Sequence, residues 1–346
     1  MRAIALAAIV AAATFPAHAQ EVPKPLFESD RLLNLTLTAD YGPLTGADPE
    51  QRPTVRGTLA AAGQSEALAV DLQPRGITRR AKDVCQFPPL RVRFVTPPSA
   101  TSEFAGQRQL KLVTHCRGTA NFNQYTLLEY AAYRLFADLT PLSMRARLAQ
   151  IDYVDGRGKL MARRFGFFIE DADDAARRNG MREAKLGARF PVARLAPTES
   201  ARFALFQYMI GNLDWAMQAG PAGDDCCHNS KPIGVGGSAA AHVVPVPYDF
   251  DFAGMVSAPY ATPPFGVNVS NVRQRRYRGL CRHNAEAKAL LPTFRAQQAR
   301  VAGILASVPG LEASNQSKAL AYLGGFYADI ATDQQADAKV FKTCLG

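Results

Sequence analysis

The sequence has no apolar run approaching the roughly 18–20 residues needed to cross a bilayer. The one near its start, Ala3 to Phe15, is too short. It contains one tryptophan and five histidines in 346 residues. No two histidines stand at the helical spacing of a zinc-hydrolase pair, and no Gly-x-Ser-x-Gly elbow occurs, so the common metallo- and serine-hydrolase signatures are excluded. Helix-turn-helix, zinc-finger and aromatic RNA-binding signatures are missing too, so no nucleic-acid partner is expected. Repeats and low-complexity tracts are absent. With 47% hydrophobic and 20% charged residues the composition is that of an ordinary globular chain.

What is present begins with an export pattern. Arg2, the apolar run and the small residues of Ala17-His18-Ala19 read in order as a signal peptide covering residues 1–19. A periplasmic or secreted protein without a transmembrane segment is therefore expected. Six cysteines suit that compartment. Cys85 and Cys116 lie in the first third, and Cys226, Cys227, Cys281 and Cys344 in the second half, which predicts at least one bridge in each part. A zinc site at Cys226-Cys227-His228 is the weaker reading, because paired thiolate ligands are generally two to four residues apart. The formal charge of +10, or +9 without Arg2, favours anionic partners.

Alternating Leu33, Leu35 and Leu37 with Asn34, Thr36 and Thr38 predicts a half-buried strand. Further strands are expected over residues 67–72, 90–95 and 109–115, and a helix over 122–139 from the spacing of Leu127, Leu128, Ala131, Ala132 and Leu135. Asp155-Gly156-Arg157-Gly158 predicts a turn between strands 147–154 and 159–169. After Glu170 the pattern becomes helical. Pro197 to Ile210 ends at Gly211, short strands follow near 232–235 and 243–246, residues 254–282 are irregular, and three helices close the chain. The expected fold class is α+β, a β-rich part of residues 20–169 with one helix, followed by an α-rich part of residues 170–346.

In the second part Gly211-Asn212-Leu213-Asp214, His228-Asn229 and Tyr248-Asp249-Phe250-Asp251 supply oxygen ligands suited to Mg²⁺ or Mn²⁺ on phosphates. In the first, Lys111 lies on a strand and Glu129 on the next helix, the residue types that clamp α- and β-phosphates. Together with Leu72-Gln73-Pro74-Arg75-Gly76 and Phe87-Pro88-Pro89-Leu90-Arg91-Val92, these motifs resemble the spore-coat protein H (CotH) kinases and, more distantly, HipA-type kinases. The resemblance spans residues 65–285. It implies a two-lobed protein-kinase-like fold with a one-helix N-lobe, and an enzyme using ATP and Mg or Mn to phosphorylate protein hydroxyls.

Carried onto this sequence, the resemblance makes Asp214 the catalytic aspartate and Asn229 and Asp249 metal ligands assisted by Asp251. Lys111 would hold phosphates, Glu129 would hold Lys111, and Phe168-Ile169-Glu170-Asp171 would be the adenine hinge. Gly76 stands alone in place of a glycine-rich loop, leaving phosphate cover to Arg75. Asp224, five residues before Asn229, is the alternative to Asp214. The basic segment of Arg273, Arg275, Arg276, Arg278 and Arg282 is either a solvated face or a means of recruiting an acidic protein substrate. A catalytically inactive kinase-like binding or scaffolding module is the competing function.

Overall fold

Leu33, Leu35, Leu37 and Ala39 are buried on one face of strand β1 (Leu33–Ala39), while Asn34 between them is exposed and Thr36 and Thr38 are half-buried. The same period of two organises the strands that follow. The protein is described here by a computed structural model covering residues 24–220 and 225–346. The proposed signal peptide and Asp224 lie outside the described residues. After β1 come α1 (Gly42–Gly46), β2 (Val55–Ala61), β3 (Ala67–Pro74), β4 (Leu90–Phe94), β5 (Gln109–Val113), α2 (Ala120–Leu139), β6 (Ala146–Val154) and β7 (Leu160–Ile169). The rest comprises α3 (Ala172–Arg178), β8 (Arg182–Glu183), α4 (Pro197–Ile210), β9 (Ser230–Gly234), β10 (Val244–Pro247), α5 (Asn284–Ala306), α6 (Ala313–Asp329) and α7 (Asp333–Lys339).

The first seven strands close into a barrel in the order β1-β2-β3-β4-β5-β7-β6. All neighbours are antiparallel except the closing pair, where β1 runs parallel to β6 from Leu33↔Ala149 to Thr38↔Val154. Side chains such as Leu37, Val70, Leu90, Leu112, Ile151 and Phe168 fill the interior, so the barrel is a packed core. Strands β8, β9 and β10 form a separate antiparallel sheet.

The other core lies outside the barrel. Helix α2 packs between β7 and α5, and its Leu127, Ala131 and Leu135 share one hydrophobic cluster with Phe167 of β7, Phe206 of α4 and Phe294 of α5. Helix α4 is buried almost all round, as a helix apolar on every side requires.

This arrangement corrects the expected two-lobed protein-kinase-like fold. The β-rich part is a closed barrel, and its helix does not belong to a separate small lobe: α2 shares the core of the C-terminal helices. The alternation of single strands says nothing of their partners, and β2 has a weak pattern around Gly57. A Cβ at Gly57 would stand 2.5 Å from the Thr38 carbonyl oxygen, so glycine lets β1 and β2 approach there.

Candidate functional site

Three elements far apart in sequence deliver an acidic cluster to one place. Glu129 projects from α2, Arg79 from the 3₁₀ turn Thr78–Arg80 after β3, and Asp249 and Asp251 from the loop after β10. Phe250 anchors that loop by packing against Tyr133 and Phe206, with ring centroids 4.7 and 5.6 Å away. The Asp249 backbone N–H donates to Tyr133 Oη at 2.9 Å, and Asp249 adopts φ +63°, a left-handed conformation that aspartate tolerates better than most residues.

Arg79 joins the three carboxylates. Its Nη1 and Nη2 donate to Glu129 Oε2 and Oε1 at 2.9 and 3.3 Å, Nη2 also donates to Asp249 Oδ1 at 2.8 Å, and Nε lies 3.2 Å from Asp251 Oδ2. The planar guanidinium suits this role, since its fixed fork of donors can serve several carboxylates at once. Burial pushes the Glu129 and Asp251 carboxyls above their usual range, and Arg79 opposes the shift in both. Tyr260 hydrogen-bonds Asp251, and burial raises its phenol well above normal.

One carboxylate oxygen from each of Glu129, Asp249 and Asp251 can lie within 4.8 Å of the other two. The setting is mostly buried and the donors are all oxygen. That set fits a hard divalent ion such as Mg²⁺ or Mn²⁺ better than zinc.

A second group surrounds Asp214, three residues beyond the left-handed Gly211 that ends α4. Asp214 Oδ1 lies 2.7 Å from His228 Nε2, and Asn229 Nδ2 donates to Asp214 Oδ2 and to its backbone oxygen at 3.0 and 2.7 Å. The hydrogen bond from Asp214 raises the His228 imidazole above its usual range, against the effect of burial. The groups adjoin: the Tyr248 N–H donates to the Asn229 carbonyl at 3.2 Å, and His228 lies in the fields of both Asp214 and Asp249.

Several expected partnerships are different in the structure. Lys111 does not pair with Glu129; its ammonium is 3.7 Å from Asp171, while Arg79 holds Glu129. Burial lowers the Lys111 pKa, Asp171 opposes this, and the charges of Arg75 and Lys231 add to the lowering. Arg75 also acts on Glu129, Tyr133 and Tyr248, which puts it in the field of the acidic cluster. Glu170 takes part in neither group. Its carboxylate accepts from Arg178 and from the Arg145 backbone, and its own N–H donates to the Arg145 carbonyl, so it clamps β7 to α3. Asn229 spends its amide nitrogen on Asp214, and Glu129 is the third member beside Asp249 and Asp251.

The basic segment has structural work as well. Arg275 stacks on Tyr322 at 3.8 Å and donates to carbonyls of Tyr208, Met209 and Tyr322; Arg278 stacks on Trp215 and donates to carbonyls of Leu213 and Trp215. Arg273 reaches the Gly254 carbonyl at 3.4 Å. These three arginines brace the end of α4 and the turn carrying Asp214, which weakens the reading of the segment as an acidic-substrate surface. Cys226 and Cys227 are bonded to each other just before His228, in place of the zinc alternative, and Cys85–Cys116 and Cys281–Cys344 complete the set. Three disulfides fit an oxidising compartment. No described helix is long and apolar enough to cross a membrane.

Arg79 and Tyr133 are the contributors that sequence reasoning missed, and His228, quoted there beside Asn229, was given no role of its own. An Arg-Arg pair after Gly76 reads as surface, because arginine is rarely buried unless paired. No protein-family model matches the chain, and no curated protein matches it in sequence.

Proposed function

We propose that the protein is an exported phosphotransferase that moves the γ-phosphate of ATP to a protein hydroxyl and depends on a divalent cation. The observation that carries this reading is the adjacency of Asp214 and Asp249: Asn229 donates to the Asp214 carboxylate at 3.0 Å, and its carbonyl accepts from Tyr248, the residue before Asp249, at 3.2 Å. In this reading Asp214 orients the acceptor hydroxyl and takes its proton as the new O–P bond forms and the bond to the ADP oxygen breaks. His228 and Asn229 hold the Asp214 carboxylate in position. Lys111 and Arg75 face the donor's phosphate oxygens. Glu129, Asp249 and Asp251 would hold the cation, which when bound neutralises phosphate charge.

A second reading, a binding module without turnover, is favoured by one observation: Arg79 and not Lys111 is the partner of Glu129, and it already engages all three carboxylates.

Thermal melting with ATP and Mg²⁺ or Mn²⁺ tests both. At about a hundredfold excess over the dissociation constant, bound ligand adds about 2.7 kcal/mol. Stabilisation together with label transfer that is lost in Asp214→Asn and Asp249→Ala is the expected result. Stabilisation without transfer selects the module, and the absence of stabilisation by any nucleotide or metal removes the phosphotransferase and the nucleotide-binding form of the module together.

A further inference from the structure

We infer that the outer face of strands β4 and β5, with the cleft beside it, is a docking surface for an acidic peptide segment whose carboxylates alternate along an extended chain. The inference does not rest on the phosphotransferase reading. Leu90, Val92 and Phe94 of β4 and Leu110 and Leu112 of β5 fill the barrel, so the period of two turns Arg91, Arg93, Gln109 and Lys111 to the opposite face. The register sets Arg91 across from Lys111 and Arg93 across from Gln109. Two like charges directly opposite each other in a strand pair work against folding. The barrel core gives no reason for that pairing, and an anion lying over it would relieve the repulsion.

Little in the structure neutralises these cations. Arg91 and Arg93 are exposed, as is Arg108 just before β5, and none of the three has an ion pair or side-chain hydrogen bond among the described residues. Asp71, across from Arg93 on β3, is held by Arg56 at 2.7 Å, and the Lys111 ammonium stands 3.7 Å from Asp171. The adjoining cleft, of about 520 Å³, is lined by Arg93, Gln107 and Arg108 on the barrel side and by Asp171, Asp173 and Asp174 at the start of α3. Asp174 is already neutralised by Lys24 and Arg177. Gln107 is 3% exposed and its Nε2 has no hydrogen-bond partner, a donor to which a bound carboxylate would supply the missing acceptor. The occupant follows from the spacing. Residues two apart on a strand stand about 6.5–7 Å apart, so acids at alternate positions of an extended peptide meet Arg91 and Arg93 in step. Both strands are paired on both edges within the barrel, so such a peptide lies over the face by its side chains and adds no strand. Single exposed ion pairs are weak, so several acids must engage together. The net charge of +10 calls for an anionic partner, and the arginines of this face are available to meet it, whereas Arg275 and Arg278 are spent on carbonyls.

Fluorescence anisotropy with a labelled peptide of alternating glutamate and serine tests this. The native chain should bind it at low salt and release it as salt is raised, because exposed charges are screened beyond about 8 Å at physiological ionic strength. A peptide of the same length and charge with glutamate at every third position should bind more weakly. Arg91→Gln combined with Arg93→Gln should weaken binding at least about tenfold. Arg157→Gln combined with Arg282→Gln makes the same change of net charge at exposed sites elsewhere and should leave binding intact. Thermal melting checks the fold, and removal of the charge opposite Lys111 should leave it unchanged or raise it; if the double variant does not fold, Arg93→Gln alone decides. Equal loss in the two double variants overturns the inference, as does equal affinity for the two peptides or no binding at low salt. Binding of anionic phospholipid vesicles or single-stranded DNA at this face, with no binding of the peptide, assigns the face to another partner and overturns it too. Label transfer is read at no step, so failure here leaves the proposed function standing.

Discussion

His115 follows β5 at one end of the barrel, stacked on Phe87 at 4.9 Å and edge-on to Tyr153 at 5.2 Å. It is buried and its Nδ1 has no hydrogen-bond partner. Burial lowers its pKa to about 4, with Arg164 adding to the shift. In the unfolded chain the imidazole binds a proton below about pH 6.5. Between those limits the unfolded state holds more protons, so this contribution is present above about pH 6.5 and lost as the pH falls towards 4. The full difference is about 3 kcal/mol. Glu129 and Asp251, whose carboxyls are raised, act with the opposite sign. Comparing the native chain with His115→Phe isolates the histidine: melting of the variant should fall less steeply between pH 7 and pH 4.5, and parallel curves would show that His115 does not titrate this way. Residues of this scale differ in legibility. Asp214, Asp249 and Asp251 stand out because carboxylates beside apolar segments and turns are conspicuous, whereas Arg79 is disguised by a composition that normally means surface.

At the scale of elements, the hairpin of β6 and β7 was readable because its turn is local chemistry. Asp155 Oδ1 accepts from the N–H groups of Arg157 and Lys159 at 2.9 Å, and Gly158 takes φ +83°. Helix α4 was readable for the same reason, since Gly211 caps it at φ +67° with its N–H directed to the Gln207 and Tyr208 carbonyls. A Cβ at Gly211 would run into Tyr322 Oη, which itself donates to the Arg273 carbonyl. Gly211→Ala should therefore lower stability by about 1–2 kcal/mol from the left-handed backbone alone, with the Tyr322 clash adding to it. Denaturant unfolding checks the size. Since Asp214 is three residues on, transfer should fall in the same variant. Strand β2 was not readable, because glycine and a run of small residues blur the alternation that marks the other strands.

For the whole molecule, Cys281–Cys344 closes a separation of 63 residues and holds Leu280 beside Leu345, so the start of α5 and the end of the chain are one unit. In the chain-entropy account a loop of that length contributes about 4 kcal/mol by constraining the unfolded state. The double substitution Cys281→Ala, Cys344→Ala should cost an amount of that order in denaturant unfolding, and a loss below about 1 kcal/mol would show that α5, α6 and α7 hold the terminus without it. Sequence alone determined what depends on neighbours along the chain: strand and helix periodicity, the Asp155 turn, the glycine cap of α4, and the presence of carboxylates suited to a hard cation. The tertiary structure decided what depends on residues distant in sequence. The parallel pairing of β1 with β6 closes a barrel where an open small lobe was expected, because any strand with one apolar face can pair on either edge. The partner of Glu129 is Arg79, 50 residues away, and not Lys111, because a carboxylate buried on α2 is held by whichever cation the packing brings within hydrogen-bonding reach.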